Sequence, residues 1–220
     1  MKILKNKKVL ILLSVILIMF ALIAVSTISR KEESLPKIQV SKMLDEYKQG
    51  NFEEMEAYIK KDAGMLNNLF SSGYSQYFDD IPETESPIEF LKNNKIMIPI
   101  SQNSNYRIDD VEEYESTAKV NVTLETPDIY NAMVSLLNDN KCSEITIEDI
   151  ESYLASKSVL KNKQKVTFEF NLELIDGVWL VNLRNDFVSI DALSAGLLRG
   201  YQYVYQKAVE ETQQAIMEDR

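Results

Sequence analysis

The sequence predicts an α+β protein: a curved antiparallel sheet covered on one face by N-terminal helices and preceded by one transmembrane helix. Three observations carry that expectation. Residues 165–184 read KVTFEFNLELIDGVWLVNLR, two alternating runs around Asp176-Gly177. An Asp-Gly pair in that setting signals a hairpin, because a type I′ turn needs positive φ at both central residues. Helical patterns come first along the chain and strand patterns follow, the order expected when helices pack on an antiparallel sheet. Residues 9–25 are apolar except for Ser14, just long enough to cross a bilayer as a helix.

With Asp176-Gly177 as the loop, Ile175 faces Val178 and Leu174 faces Trp179. Directly opposed residues share a face. One face then holds Val166, Phe168, Phe170, Leu172, Leu174, Trp179, Val181 and Leu183. The other holds Thr167, Glu169, Asn171, Glu173, Asn182 and Arg184, with Glu169 opposite Arg184. A slip of one residue would mix the two sets, so the register is well specified.

The N-terminal elements follow in order. Lys2, Lys5, Lys7 and Lys8 precede the apolar run. Under the positive-inside rule residues 1–8 form a cytoplasmic tail, residues 9–28 a signal-anchor, and the remainder lies outside a cell membrane crossed once. The length of the run favours a retained anchor; Ala24-Val25-Ser26 offers a small-x-small site for the alternative, a cleaved signal. Residues 29–37 read as a linker, with Pro36 able to open a helix. Residues 38–49 show helical spacing and stop at Gly50. Asn51 is a candidate N-cap for a second helix, in which Phe52, Met55, Tyr58 and Ile59 form one stripe. Residues 65–78 read as a further helix, whole or kinked, and residues 81–87 as a loop. Ser86 with Pro87 opens a short helix ending near Asn93.

Strands begin after that. Residues 95–100 read as a short edge strand interrupted by Pro99, residues 106–114 as an acidic strand, and residues 117–126 as a cleanly alternating one. Residues 128–157 form a two-helix insertion, opened at its second helix by a capping pattern at Thr146, with Ile147, Ile150, Tyr153 and Leu154 directed inward. A short helix follows from about Ser189. Residues 192–220 are dominated by a last helix from Leu197, whose first turn Gly196 and Gly200 weaken.

Composition removes several function classes. The chain has no histidine and one cysteine, Cys142. That excludes His-dependent triads, an internal disulfide and thiolate metal clusters. Cys142 falls in a polar stretch that reads as a surface loop. Of 24 basic residues four precede the apolar run, leaving 20 against 34 acidic ones, a net charge of −14 beyond it. Nucleic acid is the wrong partner for that sign. The acidic clusters around Asp79-Asp80 and Asp109-Asp110 lack EF-hand spacing, and no motif implies a cofactor.

Three stretches carry a family resemblance: residues 47–53 (YKQGNFE), residues 116–122 (STAKVNV) and residues 176–181 (DGVWLV). Over residues 38–191 the chain resembles nuclear-transport-factor-two-like domains, the SnoaL-like cone fold, and among them the membrane-anchored versions of Gram-positive bacteria. The resemblance implies a cone-shaped domain with helices over a curved sheet. Enzymes of that superfamily pair a carboxylate with a tyrosine in the cone's mouth, but no such dyad maps here position by position. Tyr74, Tyr77 and Tyr106 are the candidate pocket residues, and no catalytic residue is assigned. The polar hairpin face, Glu169, Asn171, Asn182 and Arg184, is the candidate binding surface. The expected function is a non-catalytic accessory domain at the cell envelope that binds a protein partner or small ligand; the alternative is a small-molecule-binding or proton-transfer enzyme using the cone pocket.

Overall fold

A serine, a proline and a glycine delimit the first helix. Ser34 accepts a hydrogen bond from the Lys37 N–H, Pro36 sits in the first turn where its missing N–H costs nothing, and Gly50 closes the end. The helix, α1, runs Leu35–Gln49, so it begins inside the stretch read as linker. Val40, Met43, Leu44 and Tyr47 are fully buried on its inner stripe.

The structure is a computed structural model that describes residues 34–61, 86–140, 142, 145–183 and 186–218. The tail, the signal-anchor at 9–28, the helix read at 65–78, Tyr74, Tyr77, the Asp79-Asp80 cluster and Arg184 lie outside them. Among the described residues no helix is long and apolar enough to cross a membrane.

After α1 come α2 (Phe52–Met55), α3 (Pro87–Asn93), α4 (Met97–Gln102), β1 (Asn105–Glu113) and β2 (Thr117–Pro127). Then follow α5 (Ile129–Asp139), α6 (Ile147–Leu154), α7 (Lys157–Lys161), β3 (Lys163–Ile175), β4 (Val178–Asn182), α8 (Phe187–Leu193) and α9 (Leu197–Glu218). The four strands form one antiparallel sheet in the order β1-β2-β3-β4. The fold class is α+β, as the sequence predicts.

The hairpin register matches the expectation pair for pair: Ile175 with Val178, Leu174 with Trp179, Leu172 with Val181. Asp176 (φ 50°) and Gly177 (φ 79°) both adopt the left-handed conformation that the turn requires. Phe168, Phe170, Leu172, Trp179, Val181 and Leu183 are buried. Leu174 shares their face but is 37% exposed, although Trp179 opposite it is buried.

Five expectations are corrected. Residues 95–100 are not a strand: Ile96, Met97 and Ile100 are buried as one face of α4. Pro99 is tolerated there as the third helical residue, where no intrahelical N–H bond is lost. The helix after Asn51 is one turn, continued by a 3-10 turn (Glu56–Tyr58), and Asn51 makes no side-chain cap. The chain instead straightens so that Ile59 bridges Val181 in parallel and the Lys60 N–H donates to the Val181 carbonyl at 2.9 Å. That contact closes the outer edge of β4. The insertion holds three helices, α5 to α7, and in α6 Ile147 and Tyr153 are exposed while Ile150 and Leu154 turn inward. Cys142 is half-buried against α9 rather than free in a loop; its N–H donates to both carboxylate oxygens of Glu211 at 3.1 and 3.0 Å. Burial pushes its thiol up in pKa, and the Glu211 carboxylate adds to that, which opposes a reactive thiolate.

The fifth correction concerns the start of the last helix, where Gly196 and Gly200 are read as weakening the first turn. Leu197 and Leu198 are fully buried, and the Tyr201 hydroxyl donates to Asn94 Oδ1 at 3.2 Å. The turn into α9 is fixed by Asp191, whose carboxylate accepts from the Arg199 N–H at 3.1 Å and Arg199 Nε at 2.5 Å, while the guanidinium lies 4.9 Å from the Tyr130 ring centre. Gly196 (φ 84°) has no room for a side chain: a Cβ would lie 2.8 Å from Cβ of Tyr130. At Gly200 a Cβ would meet Met133 Sδ at 2.2 Å. These glycines let α9 approach α5 closely, a role the sequence pattern presents only as weak helix propensity.

The core thus lies between the inner sheet face and α1, α4, α8 and the start of α9. Tyr47 lies within it, donating to the Leu193 carbonyl at 2.7 Å.

Candidate functional site

The alternation that fills the inner face of the sheet places every second side chain on its outer face. Register sets Lys119 opposite Asn171, Asn121 opposite Glu169, Thr123 opposite Thr167, and Asn171 opposite Asn182. Three of the four residues proposed from sequence, Glu169, Asn171 and Asn182, therefore do come together; Arg184 is outside the described residues.

Their described partners include residues that the sequence reading did not name. Glu169 Oε1 pairs with Lys119 Nζ at 2.9 Å. Asn182 Nδ2 donates to Glu173 Oε1 at 2.6 Å, and the other oxygen of Glu173 takes Lys60 Nζ at 2.7 Å. Further along, the Thr123 hydroxyl donates to Asp109 Oδ2 at 2.5 Å and lies 3.0 Å from that of Thr167, while Arg107 Nε reaches Asp109 Oδ1 at 2.5 Å. Lys165 and Glu125 are 3.6 Å apart. Asn171 is exposed in the middle of this array.

The electrostatics follow from the pairing. The Lys60 hydrogen bond, helped by Asn182, holds the Glu173 carboxyl below its ordinary value. Thr123 and then Arg107 do the same for Asp109, and Glu169 holds the Lys119 ammonium above its own. Each shift moves the group further from neutrality, so none is poised to exchange a proton near neutral pH. The face can present fixed donors and acceptors. Lys60 and Lys119 are the members that sequence reasoning missed. Lys119 was legible in the alternation of β2, had its register on β3 been drawn. Lys60 was not, because it arrives through the long-range bridge at Val181.

Tyr106, the described member of the candidate pocket, sits at the seam between β1 and α1. Its hydroxyl donates to Asp45 Oδ1 at 2.7 Å and lies 2.9 Å from Ser41 Oγ. Burial is the main cause that pushes its phenol up in pKa, so it stays protonated. Tyr47, enclosed in the core, is pushed up to about 12 by burial, which the hydroxyls of Ser104 and Thr126 offset only in part. Among the described residues no group of three or more acidic or thiol side chains is arranged to hold a metal ion.

No protein-family model matches the chain, and comparison with curated proteins and with solved structures likewise finds no match.

Proposed function

We propose that this chain is an accessory domain anchored in the cell membrane by residues 9–28, standing outside the cytoplasm and binding an envelope protein through the outer face of its sheet. The observation that carries the reading is the contrast between the two sheet faces. The inner one is filled by Phe170, Met43, Leu44, Tyr47 and Leu124, all fully buried. The outer one is an extended array of side chains held in place by their neighbours, the kind of pre-ordered polar surface that recognises another protein at little ordering cost. The four lysines before the apolar run support the orientation. The nuclear-transport-factor-two-like resemblance belongs to this proposal and agrees with it in having helices over an antiparallel sheet.

A photo-crosslinking residue at Asn171, introduced into the full-length chain in its own cells, tests the reading. One discrete protein adduct is expected from position 171 and none from the exposed Glu54 on α2. No adduct from 171, or the same adduct from both positions, overturns it. A reporter fused after residue 220 should be active only on the outer side of the membrane.

The enzyme reading has one observation in its favour, the Tyr106–Asp45 pair, a phenol beside a carboxylate. Against it, the phenol's hydrogen is already donated within the protein. If Tyr106→Phe leaves the cellular role of the chain intact, proton transfer at this pair is eliminated.

A further inference from the structure

A shallow groove of about 230 Å³ runs between α5, α6 and α7, on residues that the outer-face reading does not use. Asp128, Asn131 and Ser135 line it from α5 and its cap, Tyr153 from α6, and Val159 and Asn162 from α7 and its end. Three features define what it can hold. Val159 is buried and Tyr153 is 36% exposed, so an apolar floor meets an accessible aromatic ring. The hydroxyls of Ser135 and Tyr153 and the amide of Asn162 make no hydrogen bond to other described residues, and so are available to a ligand. No lysine or arginine lines the groove, and its one carboxylate, Asp128, already takes the Asn131 amide at 2.7 Å.

These features exclude by chemistry. A phosphate or carboxylate would find a carboxylate and no cation. A metal ion would find one oxyanion, too few for a hard cation. A purely apolar ligand would strand the amide and hydroxyls. What fits is a neutral ring with an apolar C–H face and a rim of hydroxyls. Pockets for drug-sized ligands measure about 300–1,000 Å³; the smaller space here corresponds to one ring. We propose that this groove is a binding site for a neutral pyranose sugar, with Tyr153 and Val159 against the ring face and Ser135, Asn162 and Asp128 toward the hydroxyls. Such a ring can be a free monosaccharide or one unit of a glycan chain.

The full-length chain in detergent, titrated with N-acetylglucosamine, its linear tetramer and glucose 6-phosphate by saturation-transfer NMR, tests this. Saturable binding of a neutral sugar is expected, weakened about tenfold or more in Tyr153→Ala and abolished in Ser135→Arg, which fills the groove from an exposed position. The tenfold figure corresponds to losing one aromatic contact. The phosphorylated sugar should bind more weakly. Equal affinity for monomer and tetramer marks a free sugar as the ligand; a tetramer preference of about tenfold marks a glycan chain. No saturable binding of either neutral sugar, or binding unchanged in both variants while their thermal unfolding matches the parent, overturns the proposal. Because Asn171 and the outer sheet face are untouched by these variants, failure here leaves the crosslinking result standing, and the reverse.

Discussion

On β2 and β3 the inner and outer side chains alternate along the same backbone, yet they do different work. Inward, Val120, Val122, Leu124, Phe168, Phe170 and Leu172 are all buried. Outward, Lys119, Asn121, Thr123, Thr167, Glu169 and Asn171 occupy the intervening positions of the same ladder. The inner set gains free energy by leaving water, in proportion to area and with little regard to direction. The outer set stays wet, and its ion pairs stabilise little because solvent already screens them. The difference teaches which residues are free to serve a partner: a residue that does not hold the fold together can be spent on recognition.

That comparison can be broken most decisively at Phe170. Phe170→Ala empties the centre of the inner face and should cost about 3–5 kcal/mol in urea unfolding; a loss under about 1 kcal/mol would mean that the face is not sealed. Tyr47→Phe should cost less, about 1–2 kcal/mol, because the Leu193 carbonyl loses its donor inside the core. The pH dependence of the same residue sharpens the point. Its folded pKa, about 12, lies above the ordinary 10.0, so its contribution is complete below about pH 10 and is lost as pH rises from there through the folded value. Alkaline unfolding that begins above about pH 10 and is delayed in Tyr47→Phe is the expected result. Gly177→Ala, which forces a side chain into positive φ in the turn, should cost about 1 kcal/mol; no effect would mean that the hairpin register does not depend on this turn.

The smallest effects belong to the outer face. Lys119→Ala and Glu169→Ala should leave the urea midpoint unchanged within error, while weakening the crosslink at position 171. A large stability loss would make this face structural and remove the case for a partner there. Glu173 gives the corresponding acid test. Its folded pKa is depressed, so its contribution is present above the unfolded value of about 4.3 and is lost as pH falls through the lower folded value. Glu173→Gln should flatten the stability profile only below about pH 4.

The legible and illegible parts of the fold divide by the range of the interaction. The hairpin, the helix starts at Ser86 and Thr146 and the span of α9 were readable, since each rests on neighbours within a few residues. Residues 95–100 were not: Ile96, Met97 and Ile100 suit either period in so short a run, and burial under the rest of the core chose the helix. The site divides in the same way. Glu169, Asn171 and Asn182 followed from alternation, whereas the Lys60–Glu173 contact depended on a bridge across more than a hundred residues.

By itself the sequence determined the α+β class, the register of β3 on β4 and which side chains face out, because turn chemistry and period-two alternation act locally. Only the tertiary structure decided that α8 and the start of α9 join α1 in sealing the inner face, that Gly196 and Gly200 serve close helix approach, and that Glu169 pairs with Lys119. Those outcomes depend on which distant surfaces meet. Packing and long-range pairing select among locally equivalent options, and their free energy appears only when the chain is folded.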